Sequence, residues 1–276
     1  MKKKTISNTI IYLILILVSI TMLVPFLWMI LTAFKTVAET TQVDPFVIIP
    51  GVWQTQNFAN VIKALDFVRL YANTLGMVAL RILFAVLTAT LSGYAFARLQ
   101  FKGKNVMFAL VLLQMMIPVQ IFIIPQYVMV SKLHRTNTIF GLVFPGIVTA
   151  FGTFLLRQAY MQLPKDLEEA ARLDGLGSLG IFCRIMLPIA GPVISATAIL
   201  AFLAAWNTYL EPLVFTSSLN NFTLPLSLNN FNDVYGQPQW NLQMAATTIS
   251  ILPIMLVYLI FQEKVTDAMV NSGLKG

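Results

Sequence analysis

The chain has 276 residues, of which 58% are apolar and 11% charged, against about 25% charged in a soluble domain. A water-soluble enzyme is excluded, because the sequence holds six apolar runs each long enough to span a bilayer, which takes about 20 residues. The net charge of +7 sits in short clusters between these runs, so it is a topology signal and gives no ground for nucleic-acid binding.

The first run, Thr5–Phe34, follows Lys2, Lys3 and Lys4. It starts like a secretory signal, but it exceeds the apolar core of about 7–15 residues and shows no small-residue cleavage site, so an uncleaved first span is expected. Residues 36–69 carry DPFVIIPGVWQTQNF, with a short strand-like apolar patch between prolines. The second span runs from Leu70 to Ala97 and is interrupted by Arg81. An intramembrane charge is a functional signal by default: Arg81 lines a path or pairs with a helix of a partner subunit, and pairing is the favoured expectation. The third run, Asn105–Ser131, contains LQMMIPVQIFIIP. Its prolines free backbone carbonyls, which a membrane tolerates where protein or a water-filled cavity satisfies them. Gln114 and Gln120 there are candidates for meeting solute hydroxyls or for hydrogen bonding to neighbouring helices. His134 has no ligand-spaced neighbours and reads as a surface residue.

The fourth run, Thr136–Leu156, leads into the longest polar segment between spans, about 157–188, with EEAARLDGLGSLGIFCRIMLP. Pro164 suits the first turn of a helix, and Asp166, Glu168 and Glu169 complement its dipole. Gly175 and Gly177 suit left-handed helix ends, Ser178 suits the cap of a second short helix, and Pro188 and Pro192 mark entry into the next span. Cys183, the single cysteine, excludes an intramolecular disulfide and reads as a small packing residue. The fifth run, Ile185–Leu210, ends in FLAAWNTYLEPL, where Asn207, Tyr209 and Glu211 suit a sugar and Trp206 with Tyr209 suits an interfacial belt. Residues 211–243 have no Lys or Arg and are rich in Asn and aromatics. They form a solvated linker or a partner-binding loop, through Asn220, Asn221, Phe222, Tyr235 and Trp240. The sixth run is Val234–Gln262.

With the N-terminus inside, twelve Lys and Arg fall in inside segments and five outside. Both termini are therefore expected in the cytoplasm of a prokaryotic cell, together with the 157–188 loop. No phosphate-binding loop of the G-x-x-x-x-G-K-[ST] type occurs, nor a credible Ser/His/Asp or Cys/His set. A secondary transporter or channel would need its own coupling groups, such as paired intramembrane carboxylates, and the spans offer only Arg81 and, at one end, Glu211.

The 168–188 segment resembles the EAA motif of binding-protein-dependent ABC importer permeases. Glu169, Ala170, Ala171, Gly175, Ile185, Leu187 and Pro188 fall on the motif, and Asp174 and Phe182 match its carbohydrate branch; Leu176 departs from the usual Ala. LYANTLGMVAL, LSGYAFARLQFKGK, FLAAWNTYLEPL and the closing GLKG extend the likeness, to the shorter six-span subunit of maltose-type permeases, over nearly the whole chain. The resemblance implies an all-α, six-helix type I importer permease forming a single domain over 1–276. It implies a coupling helix built on Glu168, Glu169, Ala170, Ala171, Asp174, Gly175, Leu187 and Pro188. It also implies no cofactor on this chain, ATP and Mg on two partner ATP-binding subunits, a second related permease, and an extracytoplasmic sugar-binding protein that contacts the 211–243 loop. The alternative cargo is another polar solute such as glycerol-3-phosphate.

Overall fold

The computed structural model describes residues 2–229, 231 and 236–273, and among them it contains helices and turns but no strand. Three helices are long and apolar enough to cross a membrane: Ile11–Ala33 within α1 (Lys2–Ala33), α4 (Phe67–Arg98), and Trp240–Ile260 within α15 (Trp240–Gly273). Among the described residues three bent helix pairs are also long and apolar enough to cross, if each pair counts as one span. The first turns by 105° between α5 (Lys104–Met116) and Val119–Lys132, which includes α6 (Ile123–Lys132). The second turns by 46° between Ile139–Gly146, which opens with α7 (Ile139–Val143), and α8 (Ala150–Gln162). The third turns by 77° between Ser178–Ile189 and α12 (Gly191–Trp206). The third, fourth and fifth runs are therefore broken rather than continuous. Pro118 sits at the first break, and Ala190, Gly191 and Pro192 at the third, where missing N–H donors and backbone freedom make bending cheap. Pro125 falls in the first turn of α6 and bends nothing.

The chain divides into two compact units. The first comprises Met1–Phe67 with Ser227–Val257. Residues 11–28 of α1 are exposed throughout, as an apolar helix facing lipid would be. Its end is tied by Asn57 of α3 (Gln56–Ala64): Asn57 Nδ2 donates to Ala33 O and Lys35 O, both at 2.9 Å, and Asn241 Nδ2 donates to Asn57 Oδ1 at 3.2 Å. The strand-like expectation for the apolar patch 46–49 fails. Those residues form turns and bends, because the buried Lys35 ammonium donates to Val47 O at 2.7 Å and Phe46 stacks on Trp28. Thr36 and Glu39 form a reciprocal cap on α2 (Val37–Thr41), and Glu39 also accepts from Gly51 N–H at 2.8 Å. These backbone donors, Thr36 first and then Gly51, hold the Glu39 carboxyl below its usual range. The strap from 36 to 51 should thus be fully anchored above the ordinary glutamate pKa and released as pH falls through the lowered folded value. Limited proteolysis checks this: cleavage within 42–51 should rise in acid, and Glu39→Gln should cleave faster at pH 7 and lose the acid response.

The second unit comprises Val68–Leu226 with Tyr258–Gly276. Within it α4 and α8 touch almost backbone to backbone: a Cβ on Gly93 would lie 2.9 Å from Leu156 Cβ and 3.0 Å from Arg157 N. Ser92 and Thr153 hydroxyls share a hydrogen bond of 2.8 Å across the same seam. Small residues with hydroxyl partners are the usual device for tight helix packing in lipid.

Candidate functional site

At one end of α4 the segment after α8 folds as α9 (Asp166–Leu173), a turn, α10 (Ser178–Ile181), a π-helical turn (Phe182–Met186) and α11 (Leu187–Ile189). Helix α9 starts two residues after Pro164 with three acids in its first turn and Arg172 in its last, each placed to suit the dipole. It ends as expected at Gly175, whose φ is +86°. Gly175 N–H donates to Arg172 O and Leu176 N–H to Ala171 O, both at 3.0 Å, the paired closure of a Schellman end. Leu176 packs on the core beside Ala171, which accounts for a leucine at that position. Two readings are corrected. Gly177 is extended, with φ −74° and ψ 169°, and caps α10 through its backbone, so Ser178 is the first helical residue and not the cap. Cys183 is exposed rather than packed.

The segment has two faces. Inward, Ala171, Ile181, Phe182 and Met186 join Tyr94 and Tyr160 in one buried cluster. Glu168 is buried too, with Oε1 2.9 Å from Arg98 Nε and Oε2 3.8 Å from Arg172. The Arg98 contact is electrostatic rather than an aligned hydrogen bond. The same guanidinium donates to Tyr160 O at 2.6 Å and to Leu163 O, carbonyls at the end of α8, where Tyr160 O also accepts the Leu163 N–H at 3.3 Å. Outward, Glu169, Ala170, Asp174 and Gly175 are exposed, flanked by Leu173 and Leu179 at 90% and 71% exposure. Leu187 is half-buried and Pro188 exposed. Sequence reading placed both Glu168 and Ala171 on the docking side, and the structure turns them inward. It also missed the two outward leucines, whose spacing across a glycine turn carries no periodic signal.

The second feature is a cavity of about 530 Å³ inside the second unit. The first two helix breaks line it through Ile117 and Val119, and through Pro145, Gly146 and Thr149; α4 contributes Arg81 and Ala85, α12 contributes Thr197 and Ala204, and Glu211 comes from α13 (Leu210–Phe215). Broken helices around a mid-span cavity are how transporters expose backbone polar groups to a solute. Of the predicted path residues, Gln114 and Glu211 line the cavity and Gln120, Asn207 and Tyr209 do not. Gln120 is exposed on the turn between the two halves of the first bent pair. Asn207 Nδ2 donates to Leu203 O, ending its own helix, and Tyr209 precedes α13. Trp206 is buried against Phe202 and not in an interfacial belt. Gln126, Thr149 and Thr197 line the cavity and were not singled out in sequence. Arg81 is paired within the chain: its Nε donates to Leu142 O at 2.8 Å and one terminal nitrogen lies 3.1 Å from Glu211 Oε2.

The 211–243 stretch is no plain linker. Beyond α13 it makes a 3-10 turn (Leu219–Asn221) and α14 (Leu224–Ser227). Asn220 accepts from Arg69 through its side chain and from Asn73 through its carbonyl at 2.7 Å, Phe222 O accepts from Asn73 at 3.0 Å, and Asn221 Nδ2 donates to Asn137 O at 2.6 Å. Leu219 and Trp240 are exposed, and Tyr235 lies outside the described residues.

Residues 82–270 match the profile of the family described as binding-protein-dependent transport system inner membrane component. An arabinooligosaccharide transport permease, AraQ, of Halalkalibacterium halodurans is 36% identical over 206 residues, covering 75% of this chain and 74% of that protein. The trehalose/maltose permease MalG of Thermococcus litoralis is 32% identical over 95% of this chain and 94% of its own. The sn-glycerol-3-phosphate permease UgpE of Yersinia pestis is 31% identical over 83% and 84%. Among solved structures, a chain of a bacterial ABC transporter involved in import of the acidic polysaccharide alginate superposes with a TM-score of 0.79 over 95% of this chain and 98% of its own, at 21% identity.

Proposed function

The chain belongs to the inner membrane components of binding-protein-dependent transport systems, and we propose that within such a system it lines the path of a sugar or oligosaccharide and couples that path to a separate ATP-binding subunit. The observation that carries the coupling half is the two-faced segment after α8: Ala171 and Glu168 anchor it inward, while Glu169, Ala170 and Leu173 are exposed on the other face. An exposed leucine pair beside a carboxylate is a surface for a cleft on another subunit. The charge bias puts this segment and both termini in the cytoplasm. ATP and Mg then belong to the two ATP-binding subunits, a second related permease completes the path, and an extracytoplasmic binding protein delivers cargo near Leu219 and Phe222 of the second unit.

Saccharide cargo is supported by the names of AraQ and MalG. An anionic cargo is the second reading, supported by UgpE and by an arginine on the cavity wall. The test is purification through a tag on this chain: it should bring down a second permease and ATP-binding subunits, and the complex should take up sugar only with ATP and binding protein. Uptake by liposomes holding this chain alone, without ATP, would refute the proposal.

A further inference from the structure

Among the residues lining the cavity, one is cationic and one anionic, and they face each other. Arg81 lies near the middle of α4, and its side chain is 8% exposed; that of Glu211 is 25% exposed. The guanidinium is held on three sides, by Leu142 O at 2.8 Å, by the Glu211 carboxylate at 3.1 Å, and by the backbone at Gly146, where an added Cβ would come within 2.8 Å of Arg81 Cδ. Thr208 donates its hydroxyl to the same Glu211 oxygen that meets Arg81. The pair is thus built into a fitted slot. The remaining polar lining is uncharged: Gln114, Gln126, Thr149 and Thr197.

We infer that the Arg81–Glu211 pair keeps this cavity electrically neutral, so that it admits uncharged polyhydroxylated solutes and disfavours anionic ones, with Glu211 as the residue that sets the preference. This rests on reading the cavity as the solute path. A lone arginine at this depth would draw an anion, since its field falls off slowly in a low-dielectric wall. With the carboxylate 3.1 Å away that field collapses to a local dipole. An entering anion finds no unpaired cation, and it meets first the more exposed partner, which repels it. A neutral polyol loses only its hydration, and the amides and hydroxyls on the wall replace it as donors and acceptors.

The charge of the cavity can be read without knowing the cargo. The chain has one cysteine, Cys183, so Cys183→Ala clears this chain's background, the complex carrying that change alone gives the partners' background to subtract, and Ala204→Cys places a thiol on the cavity wall at an exposed position of α12. The full complex in lipid nanodiscs is labelled with anionic, neutral and cationic methanethiosulfonates, each rate normalised to free cysteine. With the pair intact, the anionic rate should lie at or below the neutral rate. Glu211→Gln should raise the anionic-to-neutral ratio roughly tenfold, Arg81→Gln should raise the cationic-to-neutral ratio roughly tenfold, and the double variant should return both to the starting values. Either single variant suffices if the other fails to assemble. An intact pair that already favours the anion tenfold, or ratios that neither substitution moves, overturns the inference. Labelled complex is also assayed for uptake of an oligosaccharide that the unlabelled complex transports. Loss of uptake on labelling supports the path reading. Full uptake despite labelling refutes that reading, while the labelling ratios still decide the charge of the cavity.

Discussion

Glu169→Lys and Gly175→Val should each reduce uptake to near background while leaving this chain inserted in the membrane. Glu169 is exposed on the outward face of α9, so within the chain reversing its charge costs little beyond the dipole complement of the first turn, roughly 0.3–1 kcal/mol. Truncating one partner of a buried interfacial charge pair costs about 2–5 kcal/mol, and a reversal adds repulsion, so affinity for the ATP-binding subunit should fall by about two orders of magnitude or more. Gly175 isolates a different cause. A Cβ there meets nothing within 4 Å, so the whole cost of valine is the left-handed backbone, about 1–3 kcal/mol. The turn must then open, and the two short helices lose their fixed angle. Pull-down of the ATP-binding subunit with uptake in proteoliposomes checks both. Wild-type uptake by both variants with normal complex yield would reduce the segment to a charged loop.

The second large effect is expected at Arg98. Its guanidinium joins three elements: it sits on the last turn of α4, closes the carbonyl end of α8, and pairs with Glu168 in the first turn of α9. Both side chains are buried, at 7% and 9% exposure. Removing one partner of such a pair costs about 3–5 kcal/mol, because the other is left uncompensated. Arg98→Ala and Glu168→Ala should both loosen α9 from the membrane helices, and the complex should then hydrolyse ATP with little transport. Glu168→Gln, which keeps shape and hydrogen-bonding capacity, should uncouple less. The quantity to measure is solute moved per ATP consumed, with complex yield alongside. An unchanged ratio in both alanine variants would show that α9 needs no tie to α4.

Much of this was legible in sequence because hydropathy is additive along a helix. Six apolar runs and the glycine closing α9 follow from local rules; the prolines of the third run pointed to freed carbonyls, and the 105° break at Pro118 goes beyond that. The strand-like reading of 46–49 failed because a buried lysine, twelve residues from Val47 in sequence, claims the Val47 carbonyl. The break at Thr149 has no proline at the bend itself; Thr149 caps α8 by accepting from Gly152 N–H at 3.1 Å, a cue that many threonines share. Arg98 counted only as one more positive charge near a membrane end. Its role depends on Glu168, 70 residues later, and on two carbonyls, none of which a linear reading aligns. Arg81 stood out as misplaced charge, yet its partner Glu211 lies 130 residues later, beyond all three bent pairs.

The π-helical turn at Phe182–Met186 sets an angular phase. Leu187 N–H bonds back to Phe182 O, five residues earlier, so this turn holds one residue more than an α-helical turn would. Each residue advances an α-helix by about 100°. Deleting one residue here would let the helix run on in regular form, and everything before it would swing by roughly that angle relative to α12. The outward face of α9 would then point in another direction. A single inserted residue thus sets where that face points, and its loss would turn away a segment whose own folding and charge were intact.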